Sequence, residues 1–270
     1  MNKFYIITNR TKDKTLEVTK RIQKYIVESG RECILAVEGA SVTADTDCIL
    51  IIGGDGTFIR TAREMMHKNI PLLGINMGTL GYLTEVEIAD IEECLDLLIH
   101  DKTQIEERMM LSGTINGTEE QYALNDIVLT RFGALRIIEF NVYVNGELLN
   151  TYRADGMIIS TPTGSTAYNL SAGGPIVKPT AEMIVITPIC PHSLNTSSIV
   201  LSAEDEITLE IGNGRDGGIE EASICFDGEI NAEVKTGDCI RICKAKHTTK
   251  LLKLSKVSFL EILRKKMKGN

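Results

Sequence analysis

The sequence lacks several features that would assign it to a class at once. No apolar run approaches the roughly 20 residues that a membrane-spanning helix needs, and the apolar start, Phe4 to Ile7, is too short for the core of a signal peptide. Basic residues are outnumbered, 29 Lys and Arg against 37 Asp and Glu, for a net charge of -8. Because proteins that follow nucleic-acid phosphates are normally basic, we expect a cytoplasmic protein without a membrane or nucleic-acid partner.

Residues that bind metals are few and poorly spaced. The seven cysteines are an odd number without a Cys-x-x-Cys pair, and the four histidines show no His-x-x-x-His spacing. Several cysteines lie in apolar, strand-like runs, which favours small buried hydrophobes in a reducing cytosol over disulfides or a metal cluster; these are Cys33, Cys48, Cys225 and Cys243. We therefore expect no metal site built by the protein alone.

The fold class predicted from hydrophobic periodicity is α/β followed by β-rich. Over residues 1–101, short apolar runs alternate with helix-like patterns, which is typical of a Rossmann-like open parallel sheet with helices on both faces. One strand extends from Cys33 to Val37, and Cys48 to Ile52 is apolar throughout, as expected of a strand covered on both faces. The helix before Cys33 should end near Gly30.

A second domain and a terminal helix follow. Residues 102–255 show short strand-like runs and hairpin dipeptides such as Asn145-Gly146, which predict a β-rich, sandwich-like domain. Residues 256–270 include a helical pattern with basic residues near its end. We expect this helix to pack back on the body of the protein; the alternative is a basic helix at a membrane surface.

The loop Gly53-Gly54-Asp55-Gly56-Thr57 follows the buried strand and opens a helix. Ligands bind at that place in open α/β sheets, and glycines together with helix amides suit a phosphate group. Asp55 repels phosphate unless it holds Mg²⁺ or accepts a proton from an attacking hydroxyl. The same residues also make a good turn, and no Lys-Ser/Thr pair follows as in a Walker motif.

Two further segments concentrate polar residues. Ala154 to Pro175 carries six Ser and Thr hydroxyls around the apolar run Met157 to Ile159, which suits either a pocket for an adenine edge and ribose hydroxyls or a loop whose hydroxyls bind the backbone. Asn125-Asp126 interrupts a strand-like run and indicates either a turn or polar groups in a pocket. Asp155 and Asp227 each precede a glycine and suit turns.

Together these segments resemble the NAD kinase family over nearly the whole chain. The glycine loop alone is shared with diacylglycerol-kinase-like and phosphofructokinase-like proteins, whereas the order and spacing of the hydroxyl-rich segment are specific. The matching motifs are Gly53 to Thr57, Gly74-Ile75-Asn76, Gly78 to Thr84, Leu124-Asn125-Asp126, Ala154 to Pro175, Pro188 to Leu194 and Asp227-Gly228.

The resemblance implies a kinase that transfers phosphate from ATP or polyphosphate, with Mg²⁺ or another divalent cation, to the adenosine-ribose 2′-hydroxyl of NAD. It implies NAD bound between two domains, a homodimer or homotetramer, and Asp55 as the general base. The NAD-binding residues it implies are Asp55, Gly56, Tyr82, Asn125, Asp126, Asp155, Thr166, Ala167, Tyr168 and Ser171, with Arg60, Arg153 and Asp227 as further candidates.

Two positions depart from the family pattern. Asp126 stands where the family usually has Glu, so its reach is shorter by one methylene, and Ser197-Ser198 stands where the family often has Arg-Pro. The alternatives are a lipid or sugar kinase of the wider superfamily, which would ignore NAD, and an NADP-sensing module in which Asp126 has weakened catalysis.

Overall fold

The computed structural model describes residues 1–36, 42–78, 81–132, 137–193, 197–214, 217–254 and 257–268, with only the backbone of Ile230 and Asn231. Val37, Leu80, Leu194 and the predicted boundary at 255/256 lie outside these residues. The chain forms two compact units, Met1–Glu107 with Thr249–Asn270, and Arg108–Thr248. Strands are numbered β1 to β19 and helices α1 to α5 along the chain.

A seven-stranded sheet forms the centre of the first unit. Its strands are β1 (Lys3–Thr8), β2 (Glu32–Leu35), β3 (Cys48–Gly53), β4 (Leu72–Asn76), β5 (Thr84–Glu87), β6 (Gln104–Arg108) and β19 (Thr249–Lys253). They lie in the order β2-β1-β3-β4-β19-β6, with β5 also paired to β4. The pairs β1/β2, β1/β3, β3/β4, β4/β5 and β4/β19 are parallel.

Among its described residues the first unit has four helices: α1 (Glu17–Glu28), α2 (Asp55–Met65), α3 (Ile91–Ile99) and α5 (Phe259–Met267), with short 3₁₀ helices at Met66–Lys68 and Ile88–Asp90. α1 buries Ile22 and Ile26, one turn apart, and ends just before Gly30, whose φ is +74°. The predicted stop at Gly30 is confirmed, because a glycine adopts this backbone without strain. Ser258 caps α5 by accepting a hydrogen bond from Glu261 N at 3.2 Å.

Two six-stranded sheets form the second unit. One contains β7 (Leu111–Ile115), β8 (Gln121–Ala123), β10 (Ile138–Val144), β11 (Glu147–Ala154), β15 (Ile207–Ile211) and β18 (Cys239–Lys244), in the order β11-β10-β15-β18-β7-β8. The other contains β9 (Asp126–Arg131), β12 (Gly156–Ser160), β13 (Met183–Ile189), β14 (Ile199–Ser202), β16 (Glu221–Phe226) and β17 (Ile230–Lys235), in the order β14-β13-β12-β9-β16-β17.

One apolar core joins the two sheets. It takes Phe140 and Leu209 from the first sheet and Leu129, Ile159 and Phe226 from the second, all of them fully or almost fully buried. Alternate residues of the strands face this core, as in a sandwich. A 3₁₀ turn at Gly164–Thr166 and the short helix α4 (Tyr168–Ser171) follow β12.

The structure confirms the predicted fold class, but its units differ from the predicted boundaries. Strands β6 and β19, assigned from sequence to the β-rich domain, belong to the sheet of the first unit. The register that places β19 pairs Leu251 with Leu72. Periodicity cannot reveal such a distant partner, because a five-residue strand shows the same alternation in either sheet.

Two remaining expectations concern cysteines and membranes. All seven cysteines are free, and Cys48 is buried, but Cys190 and Cys239 are exposed and so do not act as core residues. In the part of the chain that the structure describes, no helix combines the length and hydrophobicity that a membrane crossing needs.

Candidate active site

The loop Gly53–Thr57 joins the end of β3 to the start of α2. β1 lies between β2 and β3, so the chain leaves β1 toward one edge of the sheet and returns to β3 on the other side. The ends of β1 and β3 form a topological switch point, where open α/β sheets bind ligands. Gly54 caps α2 without a side-chain hydrogen bond, which leaves the first helix amides available for an anion.

The carboxylate of Asp55 is held by the chain that precedes and begins β5. Oδ2 accepts a hydrogen bond from Tyr82 N at 2.8 Å. Oδ1 accepts from Leu83 N at 3.2 Å, from Thr84 N at 3.1 Å and from Thr84 Oγ1 at 3.0 Å. Since a carboxylate has about four lone-pair positions, two on each oxygen, the described residues leave one position on Oδ2 open while Oδ1 is fully used. We call this arrangement the Asp55 clamp.

Gly81 leaves the space that the Asp55 clamp occupies. A Cβ on Gly81 would lie 2.0 Å from Asp55 Oδ1 and 2.5 Å from Thr84 Oγ1, so a side chain here would displace the carboxylate. The next residue, Tyr82, is half-buried and contacts α5. Its ring centre lies 6.2 Å from that of Phe259 and 4.7 Å from Lys266 Nζ. The terminal helix therefore supports the segment that holds Asp55.

Two residues that follow β1 reach the same loop and were missed by sequence reasoning. Asn9 Nδ2 donates to Thr57 Oγ1 at 3.0 Å, which connects the end of β1 to α2. Lys12 is exposed, and its Nζ lies 2.8 Å from the point that a Cβ on Gly54 would occupy. Their signal in the sequence is a polar segment directly after a buried strand, at the edge of the sheet where ligands bind.

In the second unit, Asn125 and Asp126 lie at the start of β9. Asn125 is half-buried, and Asp126 is only 5% exposed. Burial, and to a smaller extent the negative charge of Asp227, together raise the pKa of the Asp126 carboxyl to about 7. Asp126 is therefore about half protonated near neutral pH and can donate as well as accept a hydrogen bond.

Asp227 reaches this segment from the turn between β16 and β17. Its Oδ2 accepts from Leu124 N at 2.8 Å, and its Oδ1 accepts from Asn125 N at 2.7 Å and Asp126 N at 3.3 Å. We call this arrangement the Asp227 clamp. The sequence suggested Asp227 as a turn residue or a further NAD contact; the structure places its carboxylate on the backbone of the Asn125-Asp126 segment.

The hydroxyl-rich segment separates into a buried set and an accessible set. The buried side chains bind the backbone: Thr161 Oγ1 donates to Leu124 O at 2.6 Å, and Ser165 Oγ donates to Pro162 O at 2.7 Å. Asn169, fully buried, donates to the carbonyls of Ser165 and Pro175. The more accessible residues are the four predicted to bind NAD, namely Thr166, Ala167, Tyr168 and Ser171. The backbone-binding interpretation therefore holds for the buried residues, and NAD binding by the accessible residues stays a prediction.

Gly164 connects that segment to Asn125. A Cβ on Gly164 would lie 2.1 Å from Asn125 O, so the two backbones are in direct contact. Thr161 N donates to the same carbonyl at 2.8 Å. Asn125 thus has its own amide bound by Asp227 and its carbonyl bound by Thr161. Its side chain is the part left to contact a ligand.

The remaining candidates have ordinary ion pairs or are exposed. Asp155 pairs with Arg131 Nε at 3.1 Å, and Arg153 pairs with Glu139 at 3.1 Å while its own side chain is mostly exposed. Arg60 lies exposed on α2. Asp155 is half-buried, so the Arg131 pair offsets its charge more strongly than a surface pair would.

Comparison with known proteins identifies the family. Residues 39–103 match the ATP-NAD kinase N-terminal domain and residues 124–254 match the ATP-NAD kinase C-terminal domain. The NAD kinase of Lachnospira eligens is 46% identical over 293 residues, covering 99% of this chain and all of that protein, and that of Agathobacter rectalis is 48% identical over 282 residues, covering 100% and 99%.

A solved structure agrees with these relatives. An NAD kinase from Archaeoglobus fulgidus, solved in complex with ATP, has a TM-score of 0.79 and 26% identity, and the match covers 94% of each chain. The predicted resemblance is confirmed by sequence over the full length and by fold. The chain belongs to the NAD kinase family and is a kinase that makes NADP.

Proposed function

We propose that this enzyme transfers the γ-phosphoryl group of ATP to the 2′-hydroxyl of the adenosine ribose of NAD, with Asp55 as general base. The observation that carries this proposal is the Asp55 clamp. Three successive amides and one hydroxyl fix the carboxylate at the switch point and leave one acceptor position on Oδ2. A positioned base at the end of a strand is what a hydroxyl acceptor requires.

In the reaction, the 2′-oxygen of NAD attacks the γ-phosphorus. The bond between that phosphorus and the bridging oxygen breaks, ADP leaves with the electron pair, and Asp55 Oδ2 takes the hydroxyl proton. The amides that start α2 and the Lys12 ammonium at the loop supply positive charge to the donor phosphates. Positioning and charge stabilisation provide most of the acceleration in such transfers.

A divalent cation accompanies the nucleotide in this proposal. Among the described residues no three His, Cys, Asp or Glu side chains converge as a metal site. Because the one open position on Asp55 Oδ2 takes the hydroxyl proton, Mg²⁺ would be held mainly by the donor phosphates and water. When bound, the cation offsets charge on the phosphates, and the chain's part is to orient the hydroxyl and hold its proton.

The NAD-binding residues remain those proposed from the sequence. Gly56 faces open space, so a ligand can approach its backbone. Asn125, Asp126 and Asp155 offer carbonyl, amide and carboxyl groups. Tyr168 is 44% exposed and can stack on a ring. Tyr82, Thr166, Ala167 and Ser171 complete the set, with Arg60 and Arg153 as outer candidates.

The donor and the cellular setting belong to the same proposal. ATP is favoured over polyphosphate because the Archaeoglobus fulgidus relative was solved with ATP. We propose a cytoplasmic location, which suits seven free cysteines, and a homodimer or homotetramer, which light scattering on the purified chain will test.

The decisive experiment assays NADP formation from NAD, Mg²⁺ and either ATP or polyphosphate. Wild type should form NADP with ATP, and failure with both donors would refute the proposal. Asp55→Asn should lower kcat by about 10²–10⁴-fold. Because Asn also places an N–H donor against the amides of the clamp, Thr84→Val serves as the control: it weakens the clamp by one hydrogen bond and keeps the base. An Asp55→Asn turnover within a few-fold of wild type would exclude the general-base role.

A further inference from the structure

The β16–β17 turn has an unusual backbone where it meets β9. Asp227 has a φ of +51° and Gly228 a φ of +73°, both in the left-handed region. Asp and Asn tolerate this region better than other side chains. The turn and the Asn125-Asp126 segment are bonded in both directions, because Asp227 N also donates to Asp126 O at 3.0 Å. The left-handed backbone thus delivers the carboxylate to the amides it binds.

The Asp227 clamp determines where Asn125 and Asp126 lie. Three successive amides converging on one anion form an anion-binding nest, here filled by the protein's own side chain. Without the carboxylate, these N–H groups would repel one another around an empty space and the segment would shift. A shift of about 1 Å at a positioning group can cost about 10²-fold in rate.

We propose that Asp227 is a positioning residue for NAD: it holds the Asn125-Asp126 segment through its main-chain amides rather than by touching the dinucleotide. This inference rests on the proposed NAD-binding role of Asn125 and Asp126. It reassigns Asp227 from a ligand contact to a support of two ligand contacts, and it predicts that the effect of losing Asp227 is confined to NAD.

Three substitutions at Asp227 separate the effect of its carboxylate from the effect of its left-handed backbone conformation. Asp227→Asn keeps a side chain that tolerates the left-handed region and loses the charge and one acceptor oxygen. Asp227→Gly keeps the backbone freedom and loses the whole side chain, whereas Asp227→Ala loses both. Asp238→Asn is the matched control, since Asp238 also accepts an amide hydrogen bond in a turn of the same unit, from Lys235 N at 2.7 Å.

The expected result is selective. Asp227→Asn should raise KM for NAD by about tenfold to 10²-fold, leave KM for ATP within twofold, and increase hydrogen exchange at the amides of residues 124–126. Asp227→Gly and Asp227→Ala should raise KM for NAD by similar factors, because losing the carboxylate has a larger effect than straining the left-handed backbone at this position. Asp238→Asn should behave as wild type. An unchanged KM for NAD in Asp227→Asn would overturn the proposal.

A pH profile tests the influence of Asp227 on Asp126, and hydrogen exchange distinguishes positioning from direct contact. In wild type, log(kcat/KM) for NAD should change slope near pH 7, where the free Asp126 carboxyl titrates. Removing the Asp227 charge lowers the pKa of Asp126, so the change of slope should move to lower pH in Asp227→Asn. A raised KM for NAD with unchanged exchange at residues 124–126 would show direct contact and overturn the positioning role.

Failure of the proposed function gives a different pattern. If wild type forms no NADP, the NAD kinase reaction proposed for this site is wrong. The clamp itself can still be tested without substrate, by hydrogen exchange and by NMR titration of Asp126 in wild type and Asp227→Asn. Identical exchange and titration in the two proteins would refute the Asp227 clamp independently of catalysis.

Discussion

The two units use the same hydrogen-bonding arrangement around an aspartate. In the first, Asp55 accepts bonds from the amides of residues 82–84, and in the second, Asp227 accepts bonds from the amides of residues 124–126. Both carboxylates bind a segment distant in sequence, 27 to 29 residues away in one case and 101 to 103 in the other. Each fixes a loop by converging amides rather than by side-chain packing.

The two clamps differ in what they leave available. Asp55 keeps one acceptor position on Oδ2, so the bound carboxylate is itself the reactive group. Asp227 lies beside the buried Asp126 and raises its pKa, so its influence passes to the neighbouring residues. Hydrogen bonds from main-chain amides therefore do not by themselves assign a role to an aspartate. The surroundings of the carboxylate decide that role: an open acceptor position on Asp55, and the neighbouring Asp126 for Asp227.

The largest expected effect comes from filling the space beside Asp55. Gly81→Ala would place a Cβ 2.0 Å from Asp55 Oδ1, so the carboxylate must move. We expect kcat to fall at least about 10²-fold and stability to fall by roughly 1–3 kcal/mol. Gly56→Ala is the control for folding, because nothing lies within 4 Å of its added Cβ. Wild-type turnover in Gly81→Ala would mean that the Asp55 clamp does not matter for catalysis.

The equivalent change in the second unit should affect NAD alone. Gly164→Ala would place a Cβ 2.1 Å from Asn125 O, which displaces the segment that the Asp227 clamp holds. We expect kcat/KM for NAD to fall by about tenfold to 10²-fold, with KM for ATP unchanged. Steady-state kinetics with each substrate varied in turn will measure this. Equal losses for both substrates would indicate general misfolding rather than a local shift.

Asp126 gives a pH-dependent difference in stability. Its carboxyl titrates near 3.9 when unfolded and near 7 when folded. Between these values the folded state keeps a proton that the unfolded state has lost, so stability falls as pH rises from about 4 to about 7. Asp126→Asn removes this loss, and we expect a gain on the order of 2 kcal/mol at pH 8 that vanishes near pH 4. Denaturant unfolding at both pH values will test it; parallel curves for the two proteins would contradict the raised pKa.

The smallest effect should come from one hydroxyl of the Asp55 clamp. Thr84→Val keeps the shape of a fully buried side chain and removes the 3.0 Å bond from Thr84 Oγ1 to Asp55 Oδ1. A single hydrogen bond is typically worth about 0.5–1.5 kcal/mol, so kcat should fall by about 3- to 10-fold. A loss as large as that of Gly81→Ala would show that the hydroxyl, and not the three amides, holds the base.

Much of this protein was predictable because the signals were local. The apolar run before Gly53 predicted a buried parallel strand, and the glycine loop after it predicted the start of a helix; both are present. The hydroxyl-rich segment was ambiguous because hydroxyls that bind backbone and hydroxyls that face a ligand are chemically the same. Burial separated them, with Ser165 inside and Ser171 exposed. The assignment of NAD contacts stays a prediction.

The amino-acid sequence by itself determined the fold class, the position of the phosphate-type loop and the family, since each depends on residue types at short, fixed spacings. The tertiary structure alone decided that β19 joins the first sheet, that Asp55 is held by residues 82–84 and that Asp227 binds the amides of residues 124–126. These depend on backbone amides, which every residue except proline carries. The side-chain types in the sequence therefore do not show which amides an aspartate will bind.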